Sequence, residues 1–133
     1  MVRLYRSNTE SIEDGDIVVI GFPDESKSHA KRRGTKKGPD VLRNISNESE
    51  FFERDGKLIP TCPMSGTFER KYIFDAGNIP NRQELRRTVF EVVSRGKLPI
   101  IIGGDHSLTT ETIKAASKAI RKKISGIHGC AYP

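Results

Sequence analysis

Five consecutive apolar residues, Leu98-Pro99-Ile100-Ile101-Ile102, stand between a helical pattern and a pair of glycines. A short, branched, uniformly apolar run has no polar side to turn toward water. It therefore reads as a strand covered on both faces, the usual state of strands in a parallel sheet. The segment before it is helical by spacing, since Leu85, Val89, Val92 and Val93 repeat on one face. Asn81 can cap this helix, with Glu84 three residues on in a capping-box position. Gly96 falls where a helix ends in a left-handed residue, which glycine adopts without a side-chain clash. A second helix is expected over Leu108 to Lys122, with Ser107 or Thr109 as cap and Ile113, Ala116 and Ile120 facing inward.

The rest of the chain fits the same grammar. Asp16 to Gly21 is a buried strand ending in glycine, and Tyr72 to Asp75 a shorter strand. Pro39 suits the first turn of a helix over Asp40 to Ile45, and Ile124 to His128 reads as a weak last strand. Strands alternating with helices imply right-handed crossovers. The fold class is thus α/β: a doubly wound parallel sheet with helices on both faces, in one domain over residues 1–133. Asp24 to Lys37, rich in charge, glycine and serine, reads as one long surface loop. The sequence has no internal repeat.

Composition narrows the function classes. Leu, Ile, Val and Phe make up about a quarter of the residues, above the roughly 20% below which disorder is expected. No apolar run nears the ~20 residues of a membrane helix, and the opening Met1-Val-Arg-Leu-Tyr-Arg has no signal-peptide core, so a cytoplasmic location is expected. Cys62 and Cys130 are too few and too far apart for a disulfide framework. The net charge of +6 gathers in Lys31, Arg32, Arg33, Lys36, Lys37 and Arg43, and again in Lys114, Lys118, Arg121, Lys122 and Lys123. Neither cluster contains an aromatic residue on which a base could stack, so solvated surfaces are favoured over nucleic-acid binding.

In an open parallel sheet, ligands bind beyond the carboxyl ends of the strands. Those ends read Gly21-Phe-Pro-Asp24, Asp75-Ala-Gly-Asn78, Gly103-Gly-Asp-His-Ser107 and His128-Gly-Cys130. The third is the most informative. Two glycines let the backbone turn close to a ligand, and Asp105, His106 and Ser107 follow at the next helix start. A neutral His106 could ligate a divalent metal, with Asp105 orienting it or balancing charge. The alternative is an Asp or Ser cap beside an exposed histidine. No side chain can be named from the residues as a catalytic group or a cofactor binder.

Ile101-Ile-Gly-Gly-Asp-His-Ser-Leu108 resembles the first metal-ligand motif of the ureohydrolase family, which includes arginase, agmatinase and formimidoylglutamase. Gly21-Phe-Pro-Asp24, Arg33-Gly34, Gly38-Pro39 and Leu42-Arg43 resemble the family's first strand, glycine-containing loop and Gly-Pro helix start. Asp75-Ala-Gly-Asn78 is similar to its Asp-x-Gly-Asp turn, with asparagine in the last place. The resemblance implies an arginase-like three-layer α/β/α fold, of which this chain is the amino-terminal, truncated portion. It also implies hydrolysis of a guanidino C–N bond in an arginine- or agmatine-type substrate, with two manganese ions and a hydroxide formed from bound water. Carried over by position, His106 is one manganese ligand and Asp105 is not a ligand.

The family's next motif, Asp-Ala-His-x-Asp, aligns with Cys130-Ala131-Tyr132-Pro133. Cysteine replaces the aspartate and tyrosine the histidine, and neither thiolate nor phenol suits manganese. The metal set is therefore expected to be incomplete and the chain inactive alone. The expected partners are a guanidino-type small molecule and a second copy or a carboxyl-terminal half, the latter pairing with an exposed sheet edge. A binding or assembly module is the alternative. His128 and Cys130, two apart on a strand, could instead join His106 at a zinc ion. His29 is expected to face solvent.

Overall fold

The computed structural model describes residues 2–4, 7–48, 51–60 and 71–128. Its main sheet has three parallel strands: β1 (Ile17–Phe22), β4 (Ile73–Asn78) and β5 (Leu98–Gly103), with β1 in the centre. Between β1 and β4 the chain forms a single 3-10 turn (Thr35–Lys37) and α1 (Gly38–Glu48). It then forms a two-stranded antiparallel sheet of β2 (Phe51–Arg54) and β3 (Lys57–Pro60). Helix α2 (Arg82–Ser94) joins β4 to β5, and α3 (Ser107–His128) follows β5.

One face of the sheet carries the core. Val18, Ile20 and Phe22 alternate along β1 and meet Leu85, Val89 and Val92 of α2 and Leu108 and Ala115 of α3. Parallel strands force this layering, because each crossover must carry the chain back over a sheet face. On the opposite face α1 lies against β1 and β5. Helices cover both faces, so the fold is the expected doubly wound α/β/α arrangement, with β4-β1-β5 as its sheet.

The local signals around α2 operate as expected. Asn81 is extended and accepts a hydrogen bond from the Glu84 N–H at 2.9 Å. Gly96 leaves the helix with a φ of 73°.

Four expectations are corrected. Residues Ile124 to His128 continue α3 and form no strand. A strand needs a neighbour to accept its hydrogen bonds, and among the described residues none flanks this segment, whereas helical bonding is satisfied locally. The inward face of α3 is Leu108, Ala115 and Ala119, with Ala116 packed against the core as expected, while Ile113 and Ile120 are 62% and 50% exposed. Small alanines win that face because α3 packs closely beside α2, leaving the larger isoleucines outside. Strand β5 is apolar but not covered on both sides: it pairs only with β1 among the described residues, and Leu98 and Ile100 are exposed. Arg43 does not belong to the surface basic cluster, since it is 1% exposed.

The β2–β3 hairpin was not anticipated, although its signal was present. Asp55 and Gly56 both have positive φ, 53° and 71°, as a two-residue hairpin turn requires, and Asp-Gly is a favoured pair for it.

Candidate functional site at the carboxyl ends of the strands

Strand β1 hands the chain to α1 on one face of the sheet, and β5 hands it to α3 on the other. The crevice between these neighbouring strand ends is the topological switch point, where open α/β sheets bind ligands. It is here that the Gly103–Ser107 loop meets the segment after β1. The Gly104 N–H donates to Phe22 O at 3.1 Å, and the Asp105 N–H donates to Asp24 O at 3.1 Å. Gly104 is required by this approach: a Cβ there would overlap the Asp24 carbonyl.

Arg82, the first residue of α2, ties the two segments together. Its Nη2 donates to Asp24 Oδ2 at 2.8 Å and to Ser107 Oγ at 2.7 Å. The guanidinium lies 5.7 Å from the centre of the Phe22 ring, within cation–π range. Asp105 Oδ1 accepts from both the N–H and the hydroxyl of Ser107, and Oδ2 accepts from the Lys27 N–H at 3.2 Å. Asp105 thus acts as a cap at the start of α3, and His106 is exposed beside it.

The loop Asp24 to Lys37 is organised by Glu25. Glu25 Oε2 accepts from the Gly34 N–H at 2.8 Å, the Thr35 hydroxyl at 3.0 Å and the Lys36 N–H at 3.4 Å, holding the 3-10 turn in place. His29 is exposed, as expected.

All three carboxylates are held below the usual carboxylate range. For Asp24 the main cause is the Ser26 N–H, with Arg82 adding to it. For Asp105 the Ser107 hydroxyl leads, partly opposed by the negative charge of Asp24. For Glu25 it is the Gly34 N–H. Depressed folded values mean that the stabilisation is fully present above the unfolded values near 4 and fades as pH falls through the folded ones. Order at the loop is therefore expected to be constant from about pH 8 to 5 and to fall below about pH 4. Amide exchange at Asp105 and Ser107 measures this; unchanged protection at pH 3 would refute it.

A second polar cluster lies at the ends of β1 and β4. Arg43 Nε and Nη2 each donate to an oxygen of Asp75 at 2.8 Å, and Nη1 donates to Asn78 Oδ1 at 2.6 Å. Asp75 also accepts from the Leu4 and Gly77 N–H groups at 2.8 and 2.9 Å. Burial pushes the Asp75 carboxyl up, but these donors and the Arg43 charge together hold it below the usual range. Residues 42–43 and 75–78 each matched a motif, but nothing local in the sequence shows that they form one buried unit.

His106, the one ligand named from sequence, stands at the mouth of the switch-point crevice. Among the described residues no group of three histidine, cysteine or acidic side chains could hold a metal ion. The nearby carboxylates of Asp24 and Asp105 are engaged by Arg82 and by N–H and hydroxyl donors. The described donor set therefore does not fit a two-manganese centre; it offers a single imidazole. The shared zinc site is ruled out by α3 itself, which begins just after His106 and ends at His128. At 1.5 Å per residue those two histidines are about 33 Å apart along the helix axis. Cys130 and Tyr132 lie outside the described residues.

The family model that matches the chain is that of the arginase family, over residues 15–129. A curated agmatinase of Bacillus anthracis is 30% identical over 129 residues, covering 87% of this chain and 40% of its own length. An arginase of Brevibacillus brevis is 26% identical over 114 residues, covering 80% of this chain and 37% of its own. Among solved structures, Trypanosoma cruzi formiminoglutamase with Mn2+ superposes with a TM-score of 0.66 at 28% identity, over 85% of this chain and 40% of that one. The chain thus spans about two-fifths of the length of the relatives it matches, and corresponds to an amino-terminal portion of a ureohydrolase. With the motifs in family order and the same fold around them, the chain belongs to the arginase family.

Proposed function

We propose that the chain supplies the first part of a manganese-dependent ureohydrolase site, acting on a guanidino C–N bond in an agmatine- or arginine-type substrate. The observation that carries this reading is the Gly103–Ser107 loop, fixed at the switch point of an arginase-family sheet with its histidine exposed. Manganese in such a site supplies a hydroxide nucleophile near neutral pH. This chain's residues do the positioning: Arg82 and Asp105 set the loop, and the loop sets the His106 imidazole. The remaining donors must come from elsewhere, so the described residues are inactive by themselves. The setting is the cytoplasm, where two distant cysteines stay reduced. Among the described residues no helix is long and apolar enough to cross a membrane.

The outer face of β5 favours a second, compatible reading as an assembly module. Leu98 and Ile100 are 58% and 43% exposed on the outermost strand of the sheet, whose other edge pairs with no described strand. Such an edge suits strand addition by the carboxyl-terminal part of a ureohydrolase domain, or by a second copy.

The test is urea release from agmatine and arginine, with manganese, by the chain alone and mixed with a carboxyl-terminal portion of a ureohydrolase. No turnover alone and turnover in the mixture are expected. In the mixture His106→Ala should reduce the rate at least ~100-fold and weaken manganese binding, as loss of a metal ligand does. Urea release by the chain alone, or indifference of the mixture to His106→Ala, would overturn the proposal.

A further inference from the structure

The parallel helices α2 and α3 leave a groove along their outer junction, away from the strand ends. It holds two cavities, of about 310 and 280 Å³, end to end and sharing Phe90. Their apolar floor is Phe90 of α2 with Ala115 and Ala119 of α3. Lys114, Lys118, Lys122 and Lys123 line the α3 side, and Arg86 and Arg87 the α2 side at one end.

The charge balance of this groove is one-sided. Glu111 answers Arg86 at 2.7 Å and Glu84 answers Arg87 at 3.6 Å. Among the described residues none of the four lysines makes an ion pair. Lys114, Lys118 and Lys122 recur every four residues, which places them on one side of α3 at intervals of about 6 Å. The sequence alone had separated this basic cluster from any aromatic residue; the packing of α2 on α3 puts one inside it.

We infer that the α2–α3 groove docks an acidic amphipathic helix of a partner protein. Two features select that occupant. The paired cavities, along a groove about 18 Å long from residue 114 to 126, accept apolar side chains two turns apart on one helix face. The row of amines meets carboxylates spaced four residues apart on the same helix, since both rows share one period. A nucleic acid would need a bare ring face for stacking. Here Phe90 is the single aromatic side chain lining the groove among the described residues, with Lys122 Nζ 5.7 Å from its centroid, so there is no row of rings for successive bases.

The probe is a fluorescently labelled helical peptide of about two heptads, with leucine on one face and glutamate flanking it, titrated by anisotropy into the full chain. Micromolar binding that weakens with salt is expected. The double variant Lys118→Glu/Lys122→Glu should lose about tenfold in affinity, and Lys118→Gln/Lys122→Gln a smaller factor. Lys118 and Lys122 are both exposed, so the melting midpoints of both variants should match the parent and separate lost docking from lost folding. A peptide with serine in place of leucine should not bind. The inference fails if the charge-reversed chain binds equally well, or if the serine peptide binds as tightly as the leucine one. It also fails if a single-stranded oligonucleotide displaces the peptide at lower concentration.

Discussion

Asp75→Ala is expected to destabilise the chain by about 3 kcal/mol, the low end for removing one member of a buried ion pair, because Asp40 stays 3.6 Å from Arg43. Arg43 is 1% exposed and spends two of its nitrogens on the Asp75 carboxylate. Without it the guanidinium stays buried beside Asn78, and the Leu4 and Gly77 N–H groups lose their acceptor as well. Domains hold together by only about 5–15 kcal/mol, so much of the folded population is at stake. Urea unfolding followed by circular dichroism measures the change. The paired replacement Arg43→Met with Asp75→Leu removes both charges and should recover part of the loss, because no buried charge is left even though the Leu4 and Gly77 N–H groups still lack their acceptor. A loss under about 1 kcal/mol for the single variant would show that water reaches Arg43 and that the pair is not holding the turn.

Gly104→Ala should act at the loop itself. The added methyl would meet the Asp24 carbonyl, a backbone atom that cannot rotate away. Overpacking of this kind costs about 1–3 kcal/mol, and a backbone obstacle puts it at the upper end. The local consequence is larger than the global one. Relief requires the segments after β1 and β5 to part, breaking the Asp105-to-Asp24 and Gly104-to-Phe22 hydrogen bonds. The measurement is amide exchange across residues 103–108 beside the melting midpoint: protection there should fall while protection in β1 and α2 persists. Equal protection in variant and parent would mean that the close approach does not exist in solution.

The site was legible in part. Gly103-Gly-Asp-His-Ser107 could be found in sequence because turn chemistry and a helix start are local, and they lie in a row. The cap role of Asp105 was also readable as the plain alternative to metal chemistry, and the structure shows Asp105 capping. Arg82 was not named, because an arginine in the first turn of an amphipathic helix looks like any solvated charge. Its role arises only when α2 is laid across the ends of β1 and β5. Arg43 is hidden for the same reason: on composition alone it counts as a surface charge, and its burial is made tolerable chiefly by Asp75, 32 positions away, with Asn78 and Asp40 beside it.

By itself the sequence determined the elements that repeat within a few residues: the capped α2, the apolar runs of β1 and β5, the glycine exit at residue 96 and the histidine loop. Hydrophobic period and backbone preference act within a turn or two, and no distant neighbour is needed to read them. Tertiary structure decided what depends on who stands alongside. Among the described residues it set β5 at the edge of the sheet, turned Ile113 and Ile120 of α3 outward, and carried α3 on to His128. It also buried Arg43 against Asp75 and brought Phe90 in among the lysines. Each of these outcomes rests on contacts between segments far apart in the chain, and burial, pairing and desolvation take their values only once those segments meet.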